Sequence, residues 1–580
     1  MIAYDTLIDK SKGSLKDFFV LARHFYFRLF LNDAVFFEEQ MKEKVIALLA
    51  IIAIFSAHLA NSILYRYLMF PDTGTSWVEK SYFMSYLMVL MGFITVLQWD
   101  VLFPDRRDFA NLIALPVKIR IVFASKFASL CIFIGIFAVG ANTLSALIFS
   151  LYLPSWQSES LFFALRYVVV HLVCSFSSCF FIFFFSILLI GILQTVLGYK
   201  WFHHISVYLR AALMVALVFL MILFFSETIT VSGSMASFPG IRENNPGFFL
   251  FFPPMWFTGL YETLLGQGDP FFHGLARIAV LALVIPTLVF FLSAALSYKR
   301  YLRTVEETKR KRLGFAGIRN IFNTLVGVTI LRNPVQKAVC AFFGKTLRKS
   351  MLHRMRLAVF LAVAVGMMLV VMVSRAAQTK VFSTFDKSLL SIPLILSFFL
   401  LVGVSRIVNI PVSLDANWIF RLTEAKDRKQ YILGLKKGIV FFAVGPMYGL
   451  LFVFYSMIWD WETAALHCLF GLAVSLLLIE VFFFRFRKIP FTCSYLPGKE
   501  QMHVLWMVYI AGFILYITVF TALELSFGKN QGRFYLFYAI VLIVVVAWNM
   551  FQNHFLLRGI NLRFEEKPEP AMIGLATSDY

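Results

Sequence analysis

Twelve long apolar runs, spread between residues 45 and 556, constrain this chain more than any other feature of its sequence. A helix needs about 20 mostly apolar residues to cross the hydrocarbon core of a bilayer, and most of these runs are close to that length. The sequence therefore predicts an all-α polytopic membrane protein with about twelve transmembrane helices. The predicted spans are 45–65, 82–98, 128–153, 167–196, 208–226, 275–297, 357–374, 389–408, 438–459, 463–484, 504–526 and 534–556.

Composition and charge favour a membrane protein and argue against nucleic-acid binding. The chain is 60% hydrophobic and 15% charged, whereas soluble domains are about half apolar and about a quarter charged. A net charge of +21 would be compatible with a nucleic-acid partner. With an even number of spans, however, most Lys and Arg residues lie on the same side of the membrane as both termini. This distribution follows the positive-inside rule. We therefore expect a multi-pass protein of a bacterial plasma (inner) membrane, with both termini cytoplasmic and no nucleic-acid partner.

The spans divide into two six-span halves, residues 1–297 and 298–556, followed by a flexible cytoplasmic tail at 557–580. Each half begins with a basic amphipathic segment, at 15–43 in the first half and inside a basic linker at 298–356 in the second. Such helices lie in the headgroup region of a membrane, and cytosolic helices packed on each other are the alternative. The two apolar stripes are Leu15, Phe18, Phe19, Ala22, Tyr26, Leu29 and Phe30, and Val335, Ala338, Val339, Phe342, Phe343, Leu347 and Met351.

A charged, helix-prone loop follows the second span of each half. The first loop, 99–127, contains FPDRRDFANLIALPV, and the second, 409–437, contains ANWIFRLTEAKDRK. In both loops an apolar face can rest on the membrane surface while charged side chains occupy the other side. The two loops share position and character rather than sequence identity, which indicates that the halves are tandem repeats.

The stretch NNPGFFLFFPPMWFTGLYETLLG at 244–266 matches neither a span nor a solvated loop. Pro246, Pro253 and Pro254 interrupt any long helix, and the other residues are too apolar to face water. Irregular backbone at membrane depth is tolerated where it is buried in protein. We therefore expect a re-entrant segment on the outer side of the first half.

The first loop and the span that follows it carry a resemblance to a known family. Their pattern LPV…R..F..K consists of Leu115, Pro116, Val117, Arg120, Phe123 and Lys126. With a short amphipathic helix before this pattern, the chain resembles the ABC-2-type permeases, the membrane subunits of ABC exporters, which usually have six spans per half. That family also has an interfacial helix before the first span and short re-entrant helices before the last span of a half. The second half departs from the pattern: it lacks a matching LPV, and its outer loop at 527–533 is too short for re-entrant helices.

The resemblance implies that each loop is a coupling element seated on a separate ATPase subunit, which would hold ATP and Mg²⁺. The loop's charged side chains would form charge-assisted hydrogen bonds with that partner, and Pro116 would end the helix and turn the chain back to the membrane. An ordinary surface loop with salt bridges is the alternative. The coupling residues predicted in this way are Asp105, Arg106, Arg107, Asp108, Pro116, Asp415, Arg421 and Glu424.

The chain itself carries no catalytic or nucleotide-binding motif, so we expect neither an enzyme nor a cofactor in this polypeptide. A P-loop needs GxxxxGK[ST] after a strand, and VCAFFGKT at 339–346 has Val339 in place of the first glycine. The predicted function is therefore the membrane-spanning permease of an ATP-driven exporter. Its expected partners are separate ATPase subunits and membrane lipids.

Ionisable residues inside spans are costly, by about 2.5–3.5 kcal/mol each at mid-helix. We expect Glu480 to pair with Arg406 or Arg485 near the cytoplasmic face, either as a structural ion pair or as a gate or substrate contact. Histidines inside spans favour packing over metal or haem binding because they do not share a helix or a repeated spacing. These histidines are His58, His171 and His467.

Two other function classes stay open. An ion-coupled secondary transporter would need functional carboxylates at the mid-membrane, and the sequence shows none. A membrane-embedded, lipid-modifying enzyme would need a polar cluster at the headgroup level, and only the segment 488–503, with Cys493 and His503, comes near.

Overall fold

The computed structural model describes most of the chain, and every regular element in the described part is a helix. The chain forms two compact units, Met1–Lys311 and Arg312–Tyr580, which we call unit 1 and unit 2. The described residues are 15–27, 38–65, 76–99, 119–153, 161–225, 235–305, 333–378, 387–412, 417, 419–420, 429–484, 486, 488–492, 502–528 and 530–552.

We number the described helices in chain order. Those of unit 1 are α1 (15–27), α2 (Glu38–Leu64), α3 (Ser76–Leu97), α4 (Ile119–Tyr152), α5 (Leu161–Phe225), α6 (Met235–Asn244), α7 (Pro253–Leu265) and α8 (Pro270–Val305), with a 3₁₀ helix, Pro246–Phe251, before α7. Those of unit 2 are α9 (Pro334–Lys349), α10 (Met351–Gln378), α11 (Lys387–Ile407), α12 (Lys429–Ser456, with a π-helical turn at Val440–Val444), α13 (Trp461–Phe482), α14 (Met502–Phe527) and α15 (Gln531–Phe551).

Twelve helical segments in the described part are long and apolar enough to cross a membrane, which confirms the predicted all-α polytopic membrane fold. They follow the predicted spans in order, although α12 starts at Lys429, inside the stretch predicted as the second coupling loop. The segments are Val45–Leu64, Ser76–Leu97, Ala124–Tyr152, Phe162–Leu193, Tyr208–Phe225, Pro270–Val289, Met351–Val373, Lys387–Ile407, Lys429–Ser456, Trp461–Phe482, Val508–Phe527 and Gln531–Phe551.

Helix α5 carries two of these segments and folds back between them. A straight helix of its 65 residues would be about 98 Å long. Both parts of α5 nevertheless contact the same turns of α3. In the first part, the His171 ring lies 5.6 Å from the Phe83 ring, and in the second part, the Phe224 ring lies 4.8 Å from the Tyr82 ring. The chain therefore reverses direction within α5, as two consecutive spans require.

The second span is the most buried helix of each unit. In its most apolar stretch, 72% of the residues of α3 and 83% of those of α11 are buried. Helix α3 packs against α2, α4, α5 and α7, and α11 packs against α10, α13 and α14. Each predicted coupling loop is therefore continuous with the central helix of its unit.

Helices α7 and α8 form a hairpin whose tight packing depends on glycine. Pro253 occupies the first turn of α7, where its missing N–H breaks no helical hydrogen bond, and Gly266 ends the helix with a φ of 93°. A Cβ on Gly259 would lie 2.5 Å from the Leu275 Cβ and 2.9 Å from the Phe272 carbonyl oxygen. Only glycine therefore lets the two helices approach this closely.

The chain between α6 and α8 enters unit 1 and then returns to the end at which it entered. Trp77, at the start of α3, contacts Phe249 before α7 at 6.2 Å and Phe272 after α7 at 6.1 Å between ring centroids. Between these two contacts, the Phe257 ring of α7 reaches to 5.5 Å from the Phe181 ring of α5. With 13 residues, α7 is about 20 Å long and too short to span. We call this end of unit 1, at Trp77, the hairpin end.

Helix α1 buries only part of the predicted stripe, together with two residues beside it. Its buried residues are Leu21, Ala22 and Phe25, and the Lys126 ammonium at the start of α4 lies 5.7 Å from the Phe25 ring centroid. Leu15 and Phe19 of the predicted stripe are 59% and 62% exposed. Of the stripe, Ala22 is buried, whereas Leu21 and Phe25, which lie beside it, complete the buried side.

Helix α9 packs its apolar stripe against the start of α12. Val339 and Phe343 belong to the core of unit 2. A Cβ on Gly434 of α12 would lie 2.9 Å from both the Cα and the carbonyl oxygen of Gln336, so the two helix backbones are in close contact. Most of the predicted stripe of this helix is thus covered by protein, and Ala338 is exposed.

This packing predicts that Cys340 of α9 is a poorly reactive thiol. The side chain is buried, and burial raises the pKa of the Cys340 thiol, with Lys437 acting in the opposite direction. The thiolate is the reactive form. In a variant with Cys340 as its single cysteine, we expect maleimide labelling at neutral pH at least about tenfold slower than at an exposed cysteine. Labelling followed by mass spectrometry measures both rates.

The matched control is Ala341→Cys in a cysteine-free chain, because position 341 is exposed on the same helix. Gly434→Leu should force α9 away from α12 and bring the Cys340 rate close to that of the control. Equal rates at the two positions in the native chain would contradict the packing described here.

Candidate functional site

The predicted coupling residues lie outside the described residues, and the structure describes the chain on either side of them. The first loop is described up to Trp99 and again from Ile119, and the second is described up to Val412, at 417 and 419–420, and again from Lys429. The coupling residues outside these ranges are Asp105, Arg106, Arg107, Asp108, Pro116, Asp415, Arg421 and Glu424.

In unit 1 the two ends of the first loop are held by other helices. Arg210, in the second part of α5, donates a hydrogen bond of 3.0 Å to the carbonyl oxygen of Leu97, the last residue of α3. Trp99 is buried just after it. On the other side of the loop, Lys126 of α4 lies over Phe25 of α1. A displacement of this loop would therefore act on α1, α3, α4 and α5 together.

In unit 2 the start of the second loop is hydrogen-bonded to the segment after α13. The Phe491 N–H donates to the Val408 carbonyl at 2.8 Å, and the Val412 N–H donates to the Phe491 carbonyl at 3.1 Å. Asn417 donates a further hydrogen bond to the Thr492 carbonyl. The first residues of the loop are thus fixed to residues 491–492.

Phe491 is the centre of this junction and has an unusual backbone. Its φ is 63°, a left-handed conformation that costs a bulky residue about 1–3 kcal/mol. The side chain is buried, and its ring lies 5.8 Å from Phe343 of α9 and 5.0 Å from His353 of α10. His353 in turn bonds the Ile410 carbonyl through Nε2 at 3.0 Å. We call Phe491, Phe343, His353 and the backbone 408–412 the Phe491 junction.

Phe491 lies inside the segment 488–503, the place considered for a polar catalytic cluster. Its described part, 488–492, buries Ile489, Phe491 and Thr492, and serves as a packing element. Cys493 lies outside the described residues, and His503 is in the first turn of α14. In the part of the segment that the structure describes, backbone hydrogen bonds and aromatic contacts dominate.

Unit 1 contains a buried ion pair at the hairpin end. The Lys80 ammonium of α3 donates to the Glu262 carboxylate of α7 at 2.7 Å, and the two side chains are 3% and 1% exposed. The same ammonium lies 5.3 Å from the Tyr167 ring and 5.0 Å from the Tyr261 ring, within cation–π range. This pair fixes the short helix α7 to the central helix α3.

The polar residues around this pair extend it into α5. The His171 Nδ1 lies 3.2 Å from the Tyr261 hydroxyl, and the Arg166 guanidinium donates to the Leu264 carbonyl at 2.7 Å. Some buried polar atoms of the cluster have no hydrogen-bond partner in the described part of the chain, among them His171 Nε2 and Glu262 Oε2. The sequence pattern had indicated the apolar segment 244–266 but neither member of the ion pair.

In unit 2, Glu480 pairs with Lys436. The Lys436 ammonium donates to Glu480 at 2.5 Å, to Gln552 at 2.8 Å and to Asn549 at 3.2 Å, so each of its three protons has an acceptor. The network ties α12, α13 and the end of α15 together. Sequence reasoning indicated the buried carboxylate correctly but missed its lysine partner.

Of the two arginines considered as partners of Glu480, the structure describes only Arg406. The Arg406 guanidinium lies 5.2 Å from the Tyr509 ring centroid, and Arg485 lies outside the described residues. Both residues adjoin the end of a span, where long basic side chains reach the headgroup region. Lys436 had not been indicated because it fell in the stretch predicted as a loop.

A second buried pair of unit 2 lies at the opposite end of the spans. The His467 Nδ1 of α13 is 2.6 Å from the Glu524 carboxylate of α14, and both side chains are almost fully buried. The His467 ring contacts Tyr455 at 4.6 Å and Trp459 at 5.4 Å. An ionisable residue in an apolar run was the available signal for Glu524, and it was missed.

The depth of the acidic residues bears on mechanism. Within the twelve candidate spans, the acidic residues are Glu79, Glu462, Glu480 and Glu524, and each lies within about one helical turn of a span end. In the described spans, no carboxylate therefore lies near the mid-membrane position that an ion-coupled transporter would use. Among the described residues, no group of three or more His, Cys, Asp or Glu could hold a metal ion.

Comparisons with known proteins add no family to this description. No family model matches the chain, and no curated protein or solved structure is significantly similar to it. The fold class rests on the twelve apolar helical segments in the described part of the chain, and the chain is a multi-pass membrane protein.

Proposed function

We propose that this chain is the membrane-spanning permease subunit of an ATP-driven exporter of ABC-2 type, working with separate ATPase subunits. The observation that carries the proposal is the position of the two predicted coupling loops. Each loop is continuous with the most buried helix of its unit, α3 or α11. A partner that moved either loop would therefore move the centre of a six-span unit.

Three further observations support this proposal over the alternatives. The near-match to a P-loop at 339–346 lies inside α9, where Gly344 packs against the Phe442 ring instead of opening a phosphate loop. The acidic residues of the spans lie at their ends, which disfavours an ion-coupled transporter. The short helix α7, packed beside the last span of unit 1, supports the re-entrant segment that the resemblance implies.

The proposed orientation follows from charge. The loop regions and both termini that carry most of the basic residues would face the cytoplasm of a bacterial cell, and the hairpin end of unit 1 would face outward. ATP and Mg²⁺ would be held by the partner. The proposed energy transfer runs from that partner through the two loops to α3 and α11.

Purification of the tagged chain from its native membrane tests this function. We expect a nucleotide-hydrolysing subunit to be retained with the chain in mild detergent, and ATP hydrolysis in the purified sample to be lost when the partner is removed. A chain that transports in vesicles under an ion gradient without any ATPase would contradict the proposal and favour the ion-coupled class.

A further inference from the structure

The outer side of α9 is a line of basic residues without acidic neighbours in sequence. Lys337, Lys345, Arg348 and Lys349 are exposed, and their spacing places them with exposed Ala341 along one side of the helix. We call these four residues the α9 basic face. The chain contains no Asp or Glu between Glu307 and Asp386.

The position of α9 relative to the first span of unit 2 is fixed by the sequence. The helix ends at Lys349, and the candidate span Met351–Val373 begins two residues later. Arg354 and Arg356 follow in the first turns of that span. The basic face therefore lies where the chain enters the hydrocarbon layer, at the level of lipid headgroups.

The apolar side of α9 is already occupied, which distinguishes it from a helix that inserts into lipid. Val339 and Phe343 are in the protein core, and Gly434 of α12 lies against the backbone of Gln336. Lys437 of α12 donates to the Gln336 side chain at 2.7 Å, which adds a second fixed contact. The large apolar side chains of the helix thus cannot turn to the bilayer, and the basic face is what the helix offers to the membrane.

We propose that the α9 basic face binds the headgroups of anionic phospholipids, such as phosphatidylglycerol. A row of cations at headgroup level attracts anionic lipid through charge, and each Lys or Arg near an anionic surface changes the affinity about fivefold. Because protein contacts already hold α9 in place, lipid binding would not have to order the helix. An acidic protein surface has the same charge, but the adjoining candidate span Met351–Val373 places the face next to the bilayer.

Retention of lipid by the purified full-length chain tests this proposal. The protein in neutral detergent is mixed with phosphatidylglycerol or with phosphatidylcholine of the same acyl chains and isolated again, and the retained lipid is quantified. We expect preferential retention of phosphatidylglycerol that weakens with salt. Lys345→Gln/Lys349→Gln should lower the phosphatidylglycerol affinity roughly 25-fold, as about fivefold for each residue.

Two control variants separate this site from a general effect of charge. Lys345→Arg/Lys349→Arg keeps the charge and should keep the binding. Lys387→Gln/Arg533→Gln removes two exposed cations at the opposite end of the unit 2 spans and should leave the binding unchanged. Equal retention of the two lipids, or an equal loss in both Gln variants, would overturn the proposal, as would capture of an acidic protein by the face in place of lipid.

Discussion

Replacing Lys80 by Met should lower the free energy of unfolding of the protein by about 3–5 kcal/mol. The Glu262 carboxylate would lose its cation while remaining buried, and its other oxygen, Oε2, already has no partner in the described part of the chain. Because Met keeps the length and the apolar stem of Lys, the loss reports the charge rather than a cavity. Denaturant unfolding in detergent micelles, followed by circular dichroism, measures the change.

The double variant Lys80→Met/Glu262→Met separates the ion pair from the packing around it. Replacing both members of a buried pair by apolar residues is often neutral, so most of the stability should return. Lys16→Met removes an exposed lysine of the same unit and should change stability by less than about 0.5 kcal/mol. A single Lys80→Met protein as stable as the wild type would contradict the role given to this pair in fixing α7 to α3.

Replacing Arg106 and Arg107 by Glu should abolish stimulation of the partner ATPase while leaving the chain inserted in the membrane. This expectation depends on the proposed function. Removing one member of a buried charged pair at a protein interface costs about 2–5 kcal/mol, and about 2 kcal/mol is already roughly 30-fold in affinity. The ATP hydrolysis rate of the assembled complex, compared with that of the ATPase alone, measures the effect.

The control for this prediction is Arg310→Glu/Arg312→Glu, which reverses the charge of two arginines in the basic linker. It changes the net charge by the same amount as the replacement of Arg106 and Arg107. We expect that variant to retain stimulation. If the two variants lost stimulation to the same extent, net charge would explain the effect and the first loop would have no special role. If neither lost it, the partner would engage a different surface.

The number and order of the spans were predictable because the bilayer imposes a length and a composition on each span separately. The first and last residues of the spans were less predictable. Helix α12 begins at Lys429, since its first turns pack on α9 and tolerate Lys436 and Lys437 there. The hairpin segment was identifiable from its three prolines, but the close packing at Gly259 depends on α8 and is visible only in three dimensions.

The buried ion pairs show the limit of reading one sequence. Lys80 and Glu262 are 182 residues apart, and no local pattern connects them. Glu480 could be identified as a buried carboxylate, but its partner depended on where α12 begins. Phe491 gave no signal, because a left-handed backbone at a bulky residue is imposed by its surroundings rather than by its own preference.

The most direct test of the account is to identify the protein that touches the first loop. A photoreactive phenylalanine derivative placed at Phe109, in the middle of the loop 99–127, should cross-link in native membranes to an ATP-hydrolysing subunit. The same derivative at Phe251, which is 87% exposed beside the α7–α8 hairpin, should not. Cross-links from position 109 to lipid alone, or to the ATPase equally from both positions, would contradict the central claim.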